Sequence, residues 1–106
     1  MRCDTSQCKR KSAPAKYRRL GATSRADYAD PCCFKYPIAA STQKETYRRV
    51  KAAITRICKP DNYLRYPVET RKAVAARILK AATAAGIETG PCIHSLARSG
   101  RKARSK

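Results

Sequence analysis

Six cysteines, at positions 3, 8, 32, 33, 58 and 92, and a single histidine, His94, carry the sharpest chemistry in this 106-residue chain. Thiolates and imidazoles are zinc ligands. Cys3 with Cys8 and Cys92 with His94 supply two candidate ligand pairs, drawn from opposite ends of the sequence. The adjacent Cys32 and Cys33 make a poor chelating pair. The same thiols have two other uses: free, small hydrophobes in a core, the usual state in a reducing cytosol, or disulfides that form late in a protein that leaves it. A cysteine nucleophile would need His94 as its base, and no recognisable signature surrounds either residue. With no glycine-rich phosphate loop, nucleophile elbow or paired-carboxylate motif, no enzymatic activity is expected. The only cofactor the residues offer is one structural zinc.

Charge carries the wider signal. Twenty-five Lys and Arg against seven Asp and Glu leave a net charge of +18. Self-repulsion of that size opposes compaction, and a polyanion is its simplest counterpart. The candidate phosphate contacts are Lys9, Arg10, Lys11, Lys16, Arg18 and Arg19 on the N-terminal side, and Arg101, Lys102 and Arg104 at the other end. Between them stand Lys44, Arg48, Lys51, Arg71 and Lys72. Lys44, Arg48 and Lys51 fall at helical spacing and line one surface about two turns long. Nucleic acid, DNA ahead of RNA, is the expected partner.

A scaffold must position these side chains, and apolar material for one is scarce. There is no Trp and one Phe, so the payload is Ile, Val, Leu, Ala and six Tyr. If both basic ends are loose, about 60 residues remain to pack, and a domain of that size buries only roughly 60% of its unfolded surface. A crosslink, a metal, a protein partner or nucleic acid is expected to add support. No apolar run approaches the roughly 18 residues of a membrane span, and charge follows Met1 where a signal peptide would be hydrophobic. The host cytoplasm is the expected location, with no membrane partner.

Composition divides the chain into a basic N-terminal arm (1–26), a helical domain (27–88) and a basic C-terminal tail (89–106), both ends without hydrophobic periodicity. The expected fold is all-α: two to three helices built on a hairpin of helices at about 42–58 and 68–85. In the first, Tyr47, Val50, Ile54 and Ile57 form one stripe, and Thr42-Gln43-Lys44-Glu45 has the capping-box form. Lys59-Pro60-Asp61-Asn62 ends it, because proline disfavours helical geometry in the preceding residue and lacks the next N–H. In the second, Val74, Ile78, Ala82 and Ala85 share a face widened by Ala75 and Leu79. Pro67 suits its first turn and Gly86 its left-handed stop, after which Ile87 folds back. The tetrads Lys35-Tyr36-Pro37-Ile38 and Arg65-Tyr66-Pro67-Val68 read as ordinary punctuation before a helix.

From Ala26 to Glu88 the chain carries Tyr28-Ala29-Asp30-Pro31, then Lys35-Tyr36-Pro37-Ile38, then Tyr47-Arg48-Arg49-Val50-Lys51-Ala52-Ala53-Ile54, and last an alanine-rich run from Val74 to Gly86-Ile87. In order and spacing this resembles a small helical domain of tailed phages and prophages. There an "ADP…YPI" lead-in precedes one helix and a second helix ends in "RI..AA...GI". That domain occurs alone or appended to head-maturation protease and capsid-region proteins. The chain departs from the pattern at Cys32-Cys33 and at Tyr47 and Arg49, where small or aliphatic residues are usual. The resemblance implies a phage or prophage origin and a structural or nucleic-acid-associated role, and brings no reaction with it.

The expected function is that of a non-enzymatic, phage-type basic protein binding nucleic acid through phosphates with little sequence specificity. The alternative is a virion- or capsid-associated protein–protein module, its apolar stripe completed by another virion protein or a second copy of the chain. The virion would then be its second location. A ribosome-associated basic protein is the third reading.

Overall fold

Thr42 starts the longer N-terminal helix as its sequence predicts: its Oγ1 accepts a hydrogen bond from the Glu45 N–H at 3.1 Å. Glu45 does not complete the box but turns to Arg49 at 2.8 Å. In the computed structural model, which describes residues 12–101, this helix is α2, Gln43–Ile57. Before it come a single turn, α1 (Ala15–Arg18), a 3-10 turn (Arg25–Asp27) and an antiparallel hairpin of β1 (Tyr28–Asp30) and β2 (Lys35–Pro37). The strands pair Tyr28 with Pro37 and Asp30 with Lys35. After it come α3 (Pro60–Tyr63), α4 (Val68–Ala84) and α5 (Pro91–Ser99).

The expected helical hairpin is therefore present, and the fold is mainly helical. Gly86 adopts the left-handed conformation at φ +71° and stops α4, while the Ile87 N–H returns to the Ala82 carbonyl at 2.9 Å. Two expectations are corrected. The chain is not all-α, because the hairpin is real; its three-residue strands are too short for period-two alternation to register. Residues 89–106 are not an irregular tail throughout, because Pro91–Ser99 is helical with Ile93 and Leu96 fully buried.

One core cluster joins Ala53 and Ile57 of α2, Val74, Ala75 and Ile78 of α4, and Ile93 and Leu96 of α5. A second joins Val50, Ala82 and Ile87. The hairpin adds a third, in which Tyr28 and Phe34 meet edge to face with ring centroids 5.4 Å apart. The buried face of α2 is thus Val50, Ala53 and Ile57, with Ile54 beside it. Tyr47 does not belong to that face and is 42% exposed. Opposite it α4 offers only Ala81, Ala84 and Ala85, which are too small to close over the ring.

α5 is held by more than its two apolar side chains. Cys92 in its first turn is disulfide-bonded to Cys58, the C-cap of α2, across 34 residues of sequence. At its other end Gly100 takes φ +74°, and a Cβ there would come within 2.8 Å of Val68 Cγ1. Cys32 and Cys33 each take part in a disulfide as well. The free-thiol reading is therefore replaced, among the described residues, by the disulfide one.

The hairpin is tied to the helices through one buried carboxylate. Asp30 is 2% exposed, and its Oδ2 accepts the Tyr66 hydroxyl at 2.6 Å while Oδ1 accepts the Cys33 N–H at 3.3 Å. Next to it, Arg77 of α4 donates to the Ala29 carbonyl at 2.9 Å. The Tyr36 and Tyr66 rings lie 6.5 Å apart. Phe34 and Tyr36 both have positive φ, 50° and 59°, a conformation costly for aromatic residues and sustained only by such surroundings. The two Tyr-Pro tetrads are therefore more than punctuation: Tyr36 and Tyr66 meet at Asp30.

Closing a 34-residue separation by a crosslink contributes about 4 kcal/mol through the unfolded chain's lost freedom. Replacing Cys58 and Cys92 together by serine is expected to lower the unfolding free energy by about 3–4 kcal/mol in urea titrations. A loss under about 1 kcal/mol would show that α5 docks without the bond.

Burial, and then the bond to Asp30, pushes the Tyr66 hydroxyl far above the ordinary tyrosine range; burial raises Tyr36 too. A pKa raised by folding gives stability that is complete below the unfolded value, about 10 for tyrosine, and lost as pH rises beyond it. Ultraviolet titration should therefore show Tyr66 ionising only as the fold melts, and Tyr36 ionising above the ordinary tyrosine range. Tyr66→Phe should cost about 1–3 kcal/mol at neutral pH by removing the hydroxyl donor from the buried Asp30 Oδ2, and should flatten the alkaline loss of stability.

Candidate nucleic-acid interface

The exposed side of α2 places Lys44, Tyr47, Arg48 and Lys51 on one stripe, opposite Val50, Ala53 and Ile57. Among the described residues Glu45 is the one acid paired with this helix face. It is 2.8 Å from Arg49 and only 3.9 Å from Arg48 Nη1, at the limit of an ion pair. Lys44 and Lys51 have no ion pair among the described residues. Lys51 Nζ instead lies 5.4 Å from the centroid of the Tyr47 ring. The four side chains border a shallow groove of about 460 Å³. Thus Lys44, Arg48 and Lys51 do share a surface, and an aromatic ring stands among them.

Arg71 does something else. Its guanidinium donates to three carbonyls: Nη1 to Gly100 at 2.7 Å, Nε to Tyr63 at 2.9 Å and Nη2 to Tyr66 at 2.9 Å. It also lies 5.5 Å from the Tyr63 ring centroid. The fork that would grip a phosphate is filled by the backbone ends of α3 and α5, so Arg71 is a clamp and not a phosphate contact. Lys72 pairs with the exposed Glu69 at 3.3 Å. It runs beside Gly100, which brings it to the same corner as the exposed Arg101. Sequence spacing cannot separate Arg71 from Arg48, because the carbonyls that occupy Arg71 come from three different segments.

A second basic patch surrounds Tyr17. Lys16 Nζ and the Arg49 guanidinium lie 5.6 and 5.8 Å from its ring centroid. Its hydroxyl is held below the usual tyrosine range, first by a hydrogen bond with Arg56 and then by the neighbouring positive charges, against the opposing effect of burial. Arg18 and Arg19 are exposed close by. Lys9, Arg10, Lys11, Lys102 and Arg104 lie outside the described residues.

Of the four expected zinc ligands, Cys3 and Cys8 also lie outside the described residues. Cys92 is bonded to Cys58, and a cystine sulfur is not a thiolate donor. His94 is exposed, with Nε2 2.6 Å from Thr89 Oγ1. Among the described residues no cluster of three His, Cys, Asp or Glu stands close enough to hold a metal ion, and no helix is long and apolar enough to cross a membrane.

The chain matches the family DUF6582 over residues 7–90. It is a member of that family, whose function is unknown. No curated protein matches the chain, and no solved structure does. The DUF6582 span takes in the α2 stripe, the hairpin and the Asp30–Tyr66 link, and it stops one residue before α5. In this protein the disulfide therefore fastens a helix beyond the family's span onto the helix that carries the stripe.

The division of labour among the cations is testable by stability. Arg71→Ala should cost about 2–4 kcal/mol, since three carbonyls lose a charged donor. Neutralising Lys44, Arg48 and Lys51 together with glutamine should change unfolding free energy by less than about 1 kcal/mol. Equal losses in the two variants would contradict the assignment.

Proposed function

We propose that this protein binds nucleic acid through its phosphates, with little sequence specificity and no enzymatic activity. One observation carries the reading: Lys44, Arg48 and Lys51 stand on one face of a 15-residue helix and, among the described residues, are paired only by a 3.9 Å contact between Arg48 and Glu45, in a chain of net charge +18. A helix rises about 1.5 Å per residue, so Lys44 and Lys51 are about 10 Å apart along its axis, close to three nucleotide steps of about 3.4 Å. The stripe can neutralise consecutive phosphates of one strand without reaching a base edge. That arrangement supplies affinity and not sequence readout.

The oxidised cysteines favour a second reading, that of a phage-type particle component. Cys32, Cys33, Cys58 and Cys92 are all disulfide-bonded, a state that persists in proteins outside a reducing cytosol. A particle component that lies against packaged genome would use the same cations.

Fluorescence anisotropy with a labelled duplex, repeated over a range of KCl concentrations, tests the first reading. The logarithm of the association constant should fall steeply and linearly with the logarithm of salt. The Lys44→Gln, Arg48→Gln, Lys51→Gln variant should lose about 2–3 units of that slope, since each phosphate contact contributes about 0.9. A slope near zero in the wild-type protein overturns the proposal.

A further inference from the structure

The α2 stripe borders a second, larger groove. About 640 Å³ in volume, it runs between the start of α2 and the end of α4, floored by Ile38, Ala81, Ala84 and Ala85. Lys44 and Tyr47 line both grooves, so the two adjoin across the Tyr47 ring. The larger groove is mainly apolar and its size falls within the usual range for small-ligand sites. It owes its existence to the alanines that leave the Tyr47 ring uncovered.

We propose that this surface takes single-stranded nucleic acid, its phosphates over Lys44, Arg48 and Lys51 and an unpaired base against Tyr47 in the alanine-lined groove. The inference rests on the phosphate-binding reading and adds to it a preference for unpaired strands. A duplex keeps its bases stacked inside and offers only phosphates to an exposed ring. A single strand can turn one base outward onto an aromatic face while its backbone follows the cations. Lys51 Nζ stands over the Tyr47 ring but does not line the alanine groove, so a positive charge adjoins the stacking surface, the complement of the anion and flat base that each nucleotide presents. Tyr47 is suited to this because only part of its ring is covered, and Thr46 fixes the loop that forms one groove wall by accepting the Ala40 N–H at 3.0 Å.

The test compares a labelled oligothymidine with a duplex of equal length at one salt concentration. It uses the oxidised full-length protein and the variants Tyr47→Ala, Tyr47→Phe and Ala84→Leu, each checked for folding by urea titration. Tyr47→Ala should weaken single-strand binding about 5- to 100-fold and duplex binding less than about 2-fold. Tyr47→Phe, which keeps the ring, should bind the single strand within about 2-fold of wild type. Ala84→Leu, which fills the groove at an exposed position away from the cations, should reproduce the selective loss independently of any damage at Tyr47. Equal affinity of wild type and both groove variants for the single strand overturns this inference and leaves phosphate binding standing. Failure of the wild-type protein to bind either probe removes both.

Discussion

Self-repulsion among the surplus positive charges is the constraint every part of this fold answers to. A core of Val, Ile, Leu and Ala supplied by three helices is small for the task, and the chain strengthens it with links that are not hydrophobic. The Cys58–Cys92 bond fixes α5 to α2. The buried Asp30 gives the hairpin a negative centre to which Tyr66 donates. Among the described residues three arginines donate to backbone carbonyls: the exposed Arg25 to Pro31 and Cys32, and the half-buried Arg71 and Arg77 to Tyr63, Tyr66 and Gly100 and to Ala29 respectively. A guanidinium used this way is both a structural fastening and a charge partly screened by carbonyl dipoles.

What remains outward is selective. Among the described residues, the lysines and arginines on the solvent side of α2 have Glu45 as their one acidic neighbour, whereas the Arg71 guanidinium is held by three carbonyls. The same helix therefore does two jobs by face, with Val50, Ala53 and Ile57 making core and Lys44, Arg48 and Lys51 making surface. Tyr47 sits on the boundary between them. Fixing the hairpin to α4 through Ala29, and to Tyr66 just before it through Asp30, helps α4 keep its place beside α2, and with it the alanine-lined groove next to the stripe.

The long helices were legible because their ends carry strong local chemistry. Thr42, Pro60, Pro67 and Gly86 bound α2 and α4 to within a residue or so of the expected spans, since capping, proline and left-handed glycine act within a single turn. The hairpin was not legible, because three-residue strands have no period to detect and depend on side-chain links to residues far along the chain. α5 was hidden by the basic composition around it, although Gly90-Pro91 at its start and Gly100 at its end are ordinary helix signals. The α2 cations were found from spacing alone. Tyr47 was grouped with the apolar stripe of α2, yet it is exposed, because periodicity shows which residues share a face and not whether the facing helix is large enough to cover them.

Backbone amide NMR of the oxidised protein, recorded as a short single-stranded oligonucleotide is added, tests the central claim most directly. The account predicts that the largest shifts fall in residues 41–51 and along the α4 alanines facing them, while Arg71 and its carbonyl partners stay put. Shifts concentrated around Arg71, Lys72 and α5, with α2 unmoved, would contradict it.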